Sequence, residues 1–201
     1  MNNDRYLTFA LGKGRLANKT LELLEKTGIT CEEMKDKNSR KLIFVNEELK
    51  LRFFLAKGPD VPTYVEYGAA DIGVVGSDTI MEENRRVYEV LDLGFGKCRM
   101  CVCGPAQARE LLKHHERIRV ASKYPNIAKD YFFNKKHQTV DIIKLNGSVE
   151  LGPIAVSYTH LFLFHYRKRK RRKLPVKQKH FPEFHWIFPC QLQKFGLKKA
   201  P

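Results

Sequence analysis

The sequence has no long apolar run. No segment of its 201 residues approaches the roughly 18 consecutive apolar residues that a membrane-spanning helix needs. The first ten residues, MNNDRYLTFA, also lack the cationic start and the long apolar stretch of a secretory signal peptide. From these two absences we expect a soluble, cytoplasmic chain without a cleaved leader.

Cysteine is scarce and odd in number. The five cysteines cannot all pair within one chain, so we expect a reducing compartment rather than a disulfide framework. Cys98, Cys101 and Cys103 lie close together in KCRMCVC, but a lone CxxC without a second pair is a weak signal for a metal site. Because Cys101 and Cys103 alternate along a predicted strand, we expect both to be buried core residues.

Acidic residues are almost missing from the last part of the chain. The sequence has a net charge of +15, but residues 156–201 carry 12 Lys and Arg against 1 acidic residue, whereas residues 1–155 carry 25 against 21. The basic excess therefore says little about the globular part. Arg167–Lys173 are seven adjacent cations, and we expect the whole segment 156–201 to be poorly ordered.

Short strand patterns alternate with helical patterns over residues 1–155. We predict strands at RYLTFAL, KLIFV, LKLRFFLA, DIGVV, CRMCVCG, IRVAS and TVDIIKL, and helices at 17–27, 60–67, after GSD, at 106–115 and at 124–135. KLIFV and LKLRFFLA flank NEE as a candidate hairpin. This alternation is typical of an α/β fold with mostly parallel sheets. Two such runs predict two lobes, 1–96 and 97–155, with a cleft between them.

Three local features carry more specific expectations. Gly28 follows the first helix, and we expect it to end that helix in the C′ position. Asp60 is expected to cap the short helix that follows it. DIGVV, residues 71–75, has no polar face and is therefore predicted to be a central strand covered on both sides.

The first glycine-rich turn, LGKGRL, stands where a predicted strand meets a predicted helix. Gly14 lets the backbone approach an anion, and Lys13 and Arg15 can add charge-assisted hydrogen bonds to phosphates. The motif fits neither the Walker pattern nor the dinucleotide-binding fingerprint. An ordinary basic turn is therefore the alternative.

Polar turns also follow later strands, at the carboxyl ends where open α/β sheets bind ligands. Ser77 and Asp78 follow DIGVV, although Asp78 could instead only cap the next helix. Ser122 follows IRVAS and precedes a helix in the same way. These residues are candidates for binding substrate.

The last such turn is LNGSVE. Gly147 permits close approach of a ligand, Ser148 can donate a hydrogen bond, and Glu150 can bind a sugar hydroxyl or a metal-bound water. The sequence offers no pair of base and nucleophile that would indicate covalent catalysis. Three strand-end turns that converge on one cleft form a stronger signal than any single turn.

In combination, the segments of residues 5–155 resemble the short form of ATP phosphoribosyltransferase. The matching segments are LGKGRL, DVPTYVEYGAADIGVVGSD, LDLGFGKCRM, RVASKYPNIAKDYF and LNGSVELGPIA, in unbroken order. The resemblance implies a two-lobed fold like that of type II periplasmic binding proteins. It also implies a reaction of histidine biosynthesis, in which N1 of ATP is joined to the anomeric carbon of phosphoribosyl pyrophosphate (PRPP) with loss of pyrophosphate.

The same resemblance implies cofactors, partners and roles. Mg²⁺ would act through the substrate phosphates, without direct protein ligands, and a chain similar to histidyl-tRNA synthetase would be a regulatory partner. Glu150 and Arg99 are assigned as catalytic. The residues assigned to substrate binding are Lys13, Gly14, Arg15, Ser77, Asp78, Ser122, Gly147 and Ser148.

The chain departs from the family pattern after LGPIA. In the family, a glycine follows six positions after the glutamate, and then acidic residues and a Thr-Gly-x-Thr turn hold the ribose hydroxyls and the 5′-phosphate; residue 156 here is Val. The ending resembles an out-of-frame, adaptor-derived or chimeric segment, and a native basic tail that binds nucleic acid is the alternative.

Three expectations follow from this departure. The PRPP-binding loop is missing, so turnover should be impaired, and a non-catalytic nucleotide-binding protein is the alternative function. A nucleic-acid binder that uses the basic tail is a further alternative. Because the later part of the family's chain returns to the first lobe, we also expect the first sheet to lack strands and to expose an edge.

Overall fold

The chain divides into two compact units, one with the described residues up to Asp92 and one with those from Leu93 on. The structure is a computed structural model that describes residues 5–36, 39–96, 98–105, 118–147, 149, 160–166 and 184–190, the last two by their backbone. The sequence-based boundary lies after residue 96. Each unit combines a sheet with helices, so the mixed α/β class is confirmed.

The described residues of the first unit form four strands and three α-helices. Its elements are β1 (Leu7–Gly12), α1 (Arg15–Glu25), β2 (Ile43–Asn46), β3 (Leu51–Ala56), α2 (Val61–Glu66), β4 (Ile72–Val74) and α3 (Ser77–Glu83). The strand order is β2-β3-β1-β4; β1 is parallel to β3 and β4, and β2 is antiparallel to β3. The predicted hairpin of β2 and β3 is therefore confirmed.

The apolar side chains of β1 pack on both faces of this sheet, because successive residues of a strand point to opposite sides. Phe9 and Leu11 pack with Ala17 of α1 on one face. Ala10 packs with Val61 of α2 on the other face. Burial on both faces explains why Phe9, Ala10 and Leu11 of β1 form a continuous apolar run rather than an alternating pattern.

α1 ends as the sequence predicts. Gly28 has a φ of +83°. Its N–H donates to the Glu25 carbonyl at 3.0 Å, and the Ile29 N–H donates to the Leu24 carbonyl at 3.0 Å. This pair of hydrogen bonds around a left-handed glycine is the Schellman motif, so the assignment of Gly28 to the C′ position is confirmed.

Asp60 occupies the position before α2, but its predicted capping contact is wrong. Its carboxylate makes no capping hydrogen bond, and its backbone is helical, with φ −83° and ψ −21°. A capping residue needs extended backbone so that its side chain can turn back to the helix N–H groups. Here a 3₁₀ turn, Gly58–Asp60, leads directly into α2 and removes that geometry.

β4 is not the central strand that its apolar sequence predicts. Among the described residues it pairs with β1 alone and ends the sheet, and the Ile72 side chain is 39% exposed. One face packs tightly on α2: a Cβ at Gly73 would lie 2.8 Å from Val65 Cγ2 and 2.9 Å from Val61 Cγ1. The apolar run therefore reflects contact with α2. The expectation that this sheet lacks strands stays a prediction.

The second unit is a five-stranded sheet with one described α-helix. Its elements are β5 (Arg99–Pro105), β6 (Ile118–Ser122), α4 (Pro125–Asp130), β7 (Val140–Lys144), β8 (His160–Tyr166) and β9 (Phe184–Cys190). A π-helical turn, Tyr131–Lys135, continues α4. The order is β7-β6-β8-β5-β9; β6 is parallel to β7 and β8, and β5 is antiparallel to β8 and β9. The predicted helix at 106–115 lies outside the described residues.

Two segments of the basic ending form strands, although we expected no regular structure after residue 155. β8 pairs with both β5 and β6, and β9 pairs with the other side of β5. Both segments are rich in aromatic residues, which favour strands. These apolar neighbours of the charge run can form strands even though the cations themselves disfavour packing. The run Arg167–Lys173 itself lies outside the described residues.

Cys101 and Cys103 lie on β5 and are 1% and 5% exposed, so their prediction as core residues is confirmed. Burial raises the pKa of the Cys103 thiol to about 12, because a desolvated thiolate is unfavourable, and the neighbouring Cys101 adds to this effect. Cys103 therefore stays protonated and acts as a small apolar side chain.

In the part of the chain that the structure describes, no helix has both the length and the apolar character to cross a bilayer.

Candidate functional site

Three loops meet at one edge of the first sheet. Because β1, β3 and β4 are parallel, their carboxyl ends lie at the same edge. A Cβ at Gly12 would lie 3.6 Å from the Gly58 Cα and 3.8 Å from the Val74 carbonyl oxygen, and the Lys13 N–H donates to the Ala56 carbonyl at 3.0 Å. The structure thus places these predicted site residues on one edge: Lys13, Gly14, Arg15, Ser77 and Asp78.

The loop between β1 and α1 has a backbone that favours glycine. Gly14 is the N-cap of α1, with φ +99° and ψ −147°, a region that residues with a side chain rarely adopt. Within the described residues, this 11-residue helix has no side-chain capping hydrogen bond, and its first turn contains no acidic residue. Its first N–H groups and the positive end of its dipole are therefore available to an anion.

Two cations flank this helix start. Lys13 and Arg15 are both exposed, and within the described residues the structure gives neither side chain an ion-pair partner. Cations beside an uncapped helix start can donate charge-assisted hydrogen bonds to a phosphate group that binds there. The arrangement can therefore hold an anion without any change in the fold.

Asp78 folds back over Gly76 at the start of α3. Its Oδ1 lies only 2.1 Å from the position that a Cβ at Gly76 would take. The backbone of Gly76, with φ −74° and ψ 147°, is open to any residue, so the glycine is needed for space rather than for conformation. A carboxylate in the first turn of α3 also suits the helix dipole, and this contact can coexist with a role in ligand binding.

The second sheet also gathers predicted residues at one edge. Ser122 ends β6, and its carbonyl accepts a hydrogen bond from the Leu145 N–H, just after β7, at 2.9 Å. Gly147 follows in the same loop. Arg99 begins β5, which is antiparallel to β8, and it pairs with Tyr166 at the carboxyl end of β8. The backbone of Arg99 therefore lies at the edge where β6 and β7 end.

Ser122 has a structural contact that explains its presence. Its side chain is fully buried, and its Oγ accepts a hydrogen bond from the Tyr124 N–H at 2.9 Å, which holds the turn before α4. Its role in substrate binding stays a prediction. Ser148 and Glu150 lie outside the described residues, so their roles stay predictions as well.

Known proteins resemble this chain over most of its length. Residues 57–158 match the family ATP phosphoribosyltransferase. The chain is 77% identical over 150 residues to the ATP phosphoribosyltransferase of Lachnoclostridium phytofermentans, a match that covers 75% of this chain and 70% of that one. This chain belongs to the ATP phosphoribosyltransferase family. The resemblance inferred from the sequence motifs is thereby confirmed.

Two further relatives support the assignment to this family. The ATP phosphoribosyltransferase of Lachnospira eligens is 75% identical over 150 residues, which cover 75% of this chain and 69% of that one. In three dimensions, the chain is similar to the ATP phosphoribosyl transferase (HisG:HisZ) complex from Thermotoga maritima. That match has a TM-score of 0.62 and 29% sequence identity, and it covers 81% of this chain and 75% of the other.

One cation at the carboxyl-end edge of the first sheet was not predicted from the sequence. Lys57 is exposed and directly follows β3, as Lys13 directly follows β1. Both LAKGPD and LGKGRL have a lysine and a glycine after an apolar strand. This shared pattern could have indicated Lys57 as a candidate site residue. The signal becomes informative only when the parallel register of β1 and β3 is known.

The contact between Gly76 and Asp78 gives a testable prediction for this family member. We expect Gly76→Ala to displace the Asp78 carboxylate without straining the backbone. If Asp78 contacts a ribose hydroxyl or a magnesium-bound water, Gly76→Ala and Asp78→Ala should each weaken ATP binding by about 1 kcal/mol. The double variant should bind no more weakly than Asp78→Ala alone, because both changes remove the same contact. Calorimetric titration with ATP and Mg²⁺ measures all three.

Additive losses in the double variant would mean that Gly76 acts independently of Asp78. If Asp78→Ala binds ATP with unchanged affinity, the Asp78 carboxylate only stabilises the start of α3 and does not contact the nucleotide. Glu83→Ala is the matched control, because it removes a carboxylate from the last turn of α3, at the end of the helix away from Gly76.

Proposed function

We propose that this member of the ATP phosphoribosyltransferase family binds ATP at the loops after β1, β3 and β4, and that it is impaired in the PRPP half of the reaction. The observation that carries the proposal is the meeting of these loops beside the uncapped start of α1, with Lys13 and Arg15 unpaired within the described residues. A polyphosphate is the ligand whose charge fits this arrangement.

The chemistry of the family reaction needs such groups. A bond forms between N1 of adenine and the anomeric carbon of the ribose, while the bond from that carbon to pyrophosphate breaks and its electron pair leaves with pyrophosphate. The transition state resembles an oxocarbenium ion beside a highly charged leaving group. Positioned cations and backbone N–H groups therefore contribute more than a protein nucleophile would.

Each part of the site has a proposed role. Lys13 and Arg15 bind phosphates of the nucleotide, with Gly14 allowing their close approach. Arg99 neutralises the departing pyrophosphate, and Glu150 binds a ribose hydroxyl. Further proposed substrate contacts are Ser77 and Asp78 in the first unit, and Ser122, Gly147 and Ser148 in the second unit.

Magnesium is the proposed cofactor. It neutralises phosphate oxygens when bound, and it usually keeps several waters, so that one or two carboxylates are sufficient on the protein side. Asp78 is the carboxylate at this edge that fits such a water-mediated contact. Among the described residues, no group of three or more His, Cys, Asp or Glu side chains is placed to hold a metal ion by itself.

The finer fold and the partner belong to the same proposal. We infer that the two units correspond to the lobes of a type II periplasmic-binding-protein-like fold. We also infer a hetero-oligomer with a regulatory chain similar to histidyl-tRNA synthetase. The similarity to a HisG:HisZ complex supports this partner. A place in histidine biosynthesis fits the cytoplasmic location expected from the sequence.

Calorimetry with purified chain tests the division between the two halves of the reaction. We expect ATP and AMP to bind. PRPP should bind at least 100-fold more weakly than it binds to the Lachnoclostridium phytofermentans relative measured in parallel, because the loop that would form hydrogen bonds to its charged groups is missing. We also expect PRPP to leave the affinity for AMP unchanged. A chain that binds neither ATP nor AMP contradicts the proposed nucleotide site, and tight PRPP binding contradicts the proposed impairment.

A further inference from the structure

Lys57 lies beside Lys13 on the edge where β1 and β3 end. The parallel register pairs Leu11 with Leu55 and Gly12 with Ala56. The Lys13 N–H continues this ladder with its hydrogen bond to the Ala56 carbonyl at 3.0 Å. One further step along the register places Lys57 opposite Lys13, at about the 4.8 Å that separates neighbouring strands.

The backbone around both lysines is closely packed. The Gly58 Cα, next to Lys57, lies 3.6 Å from the position of a Cβ at Gly12, next to Lys13. Lys57 itself has extended backbone, with φ −67° and ψ 140°. The two lysines therefore start from fixed neighbouring points, while their exposed ammonium groups can still adjust to a ligand.

The charges at this edge are incompletely balanced. Within the described residues, the structure gives no ion-pair partner to Lys13, Arg15 or Lys57. Asp60 and Asp78 stand at the starts of the next two helices, α2 and α3. Because adjacent ammonium groups repel each other, a multiply charged anion between them would stabilise the site.

We propose that Lys57 binds the phosphate chain of ATP together with Lys13, as a third cation beside Arg15. This inference rests on the proposed function and adds a residue that positions the polyphosphate. Two lysines side by side can contact two successive phosphate groups, whereas a monophosphate engages only one of them well. Lys57 therefore makes the site selective for nucleotides with more than one phosphate.

The test compares two lysines at opposite ends of one strand. Lys50 directly precedes β3, and its Nζ lies 5.2 Å from the centre of the Tyr6 ring, so Lys50→Gln removes the same charge from the far edge. The full chain is titrated with ATP, AMP and adenosine as wild type and with Lys57→Gln, Lys57→Arg, Lys50→Gln, Lys13→Gln or Arg15→Gln. Thermal unfolding checks the fold of each variant.

We expect Lys57→Gln to weaken ATP binding about tenfold, the effect of one lost charge-assisted hydrogen bond. AMP binding should weaken less than about threefold and adenosine binding should not change, because the lost contact belongs to the outer phosphates. Lys57→Arg should retain most of the ATP affinity. Lys50→Gln should change it less than about twofold, since exposed charges at the far edge are screened.

Three results would overturn the inference. In the first, Lys57→Gln and Lys50→Gln weaken ATP binding equally, which indicates only a loss of overall charge. In the second, adenosine binding falls as much as ATP binding. In the third, Lys13→Gln and Arg15→Gln weaken ATP binding while Lys57→Gln does not, which leaves the proposed function standing and removes Lys57 alone. A wild-type chain without ATP binding overturns the proposed function itself.

Discussion

Replacing residues 156–201 with the corresponding segment of the Lachnoclostridium phytofermentans relative is expected to restore phosphoribosyl transfer by about four orders of magnitude or more. The resemblance implies that the family loop after the LNGSVE turn supplies about four hydrogen bonds to charged groups of PRPP, at roughly 1.5–3 kcal/mol each, or on the order of 6–12 kcal/mol together. Micromolar binding amounts to only about 8 kcal/mol in total. Release of pyrophosphate from ATP, PRPP and Mg²⁺ measures the change.

The chimera needs two controls. The chimera with Lys13→Gln and Arg15→Gln should lose the restored activity, because the nucleotide phosphates then lack their cations. The unmodified chain should remain near background in the same assay. Turnover of the unmodified chain at the rate of the relative would contradict the proposed impairment, and a folded chimera that still fails to bind PRPP would contradict the role of the lost loop.

Gly14→Ala is expected to weaken ATP binding by more than tenfold and to lower the free energy of unfolding by about 1–3 kcal/mol. Gly14 has φ +99° and ψ −147°, which a residue with a Cβ adopts only under strain. Relief of that strain would move the start of α1 and its free N–H groups away from the phosphate site. Urea unfolding and calorimetry with ATP measure the two effects separately.

Gly28→Ala is the matched control for this change. Gly28 also has a positive φ, +83°, but it lies at the other end of the same helix. Its substitution should lower the free energy of unfolding by about 1 kcal/mol and leave ATP affinity unchanged. A Gly14→Ala variant that binds ATP as tightly as the wild type would show that the start of α1 is not part of the ATP phosphate site.

Features that depend on neighbouring residues were predicted better than features that depend on distant parts of the chain. The Schellman end at Gly28 and the buried alternation of Cys101 and Cys103 depend on residues within a few positions of each other, and both predictions are confirmed. The predicted cap at Asp60 is wrong because a 3₁₀ turn next to it changes the backbone. Even a local rule therefore depends on how the preceding turn is built.

The predictions that required sheet order were less successful. The apolar sequence of β4 indicated a central strand, yet its side chains pack on α2 while one edge is open among the described residues. Lys57 was not predicted because Lys13, the cation next to it on the sheet, lies more than forty residues away along the chain. Ser122 was predicted as a ligand contact, and the structure adds a buried hydrogen bond that a linear pattern cannot show.

The sequence by itself determined the family, the alternation of strands and helices, and the residues that can carry phosphate chemistry, since these depend on residue type and short spacing. Only the tertiary structure decided which strand ends stand side by side. The hydrogen bond from Lys13 to Ala56 and the contact of Gly12 with Gly58 join segments more than forty residues apart. Such pairings depend on the packing energy of the whole sheet, which no single segment of the chain encodes.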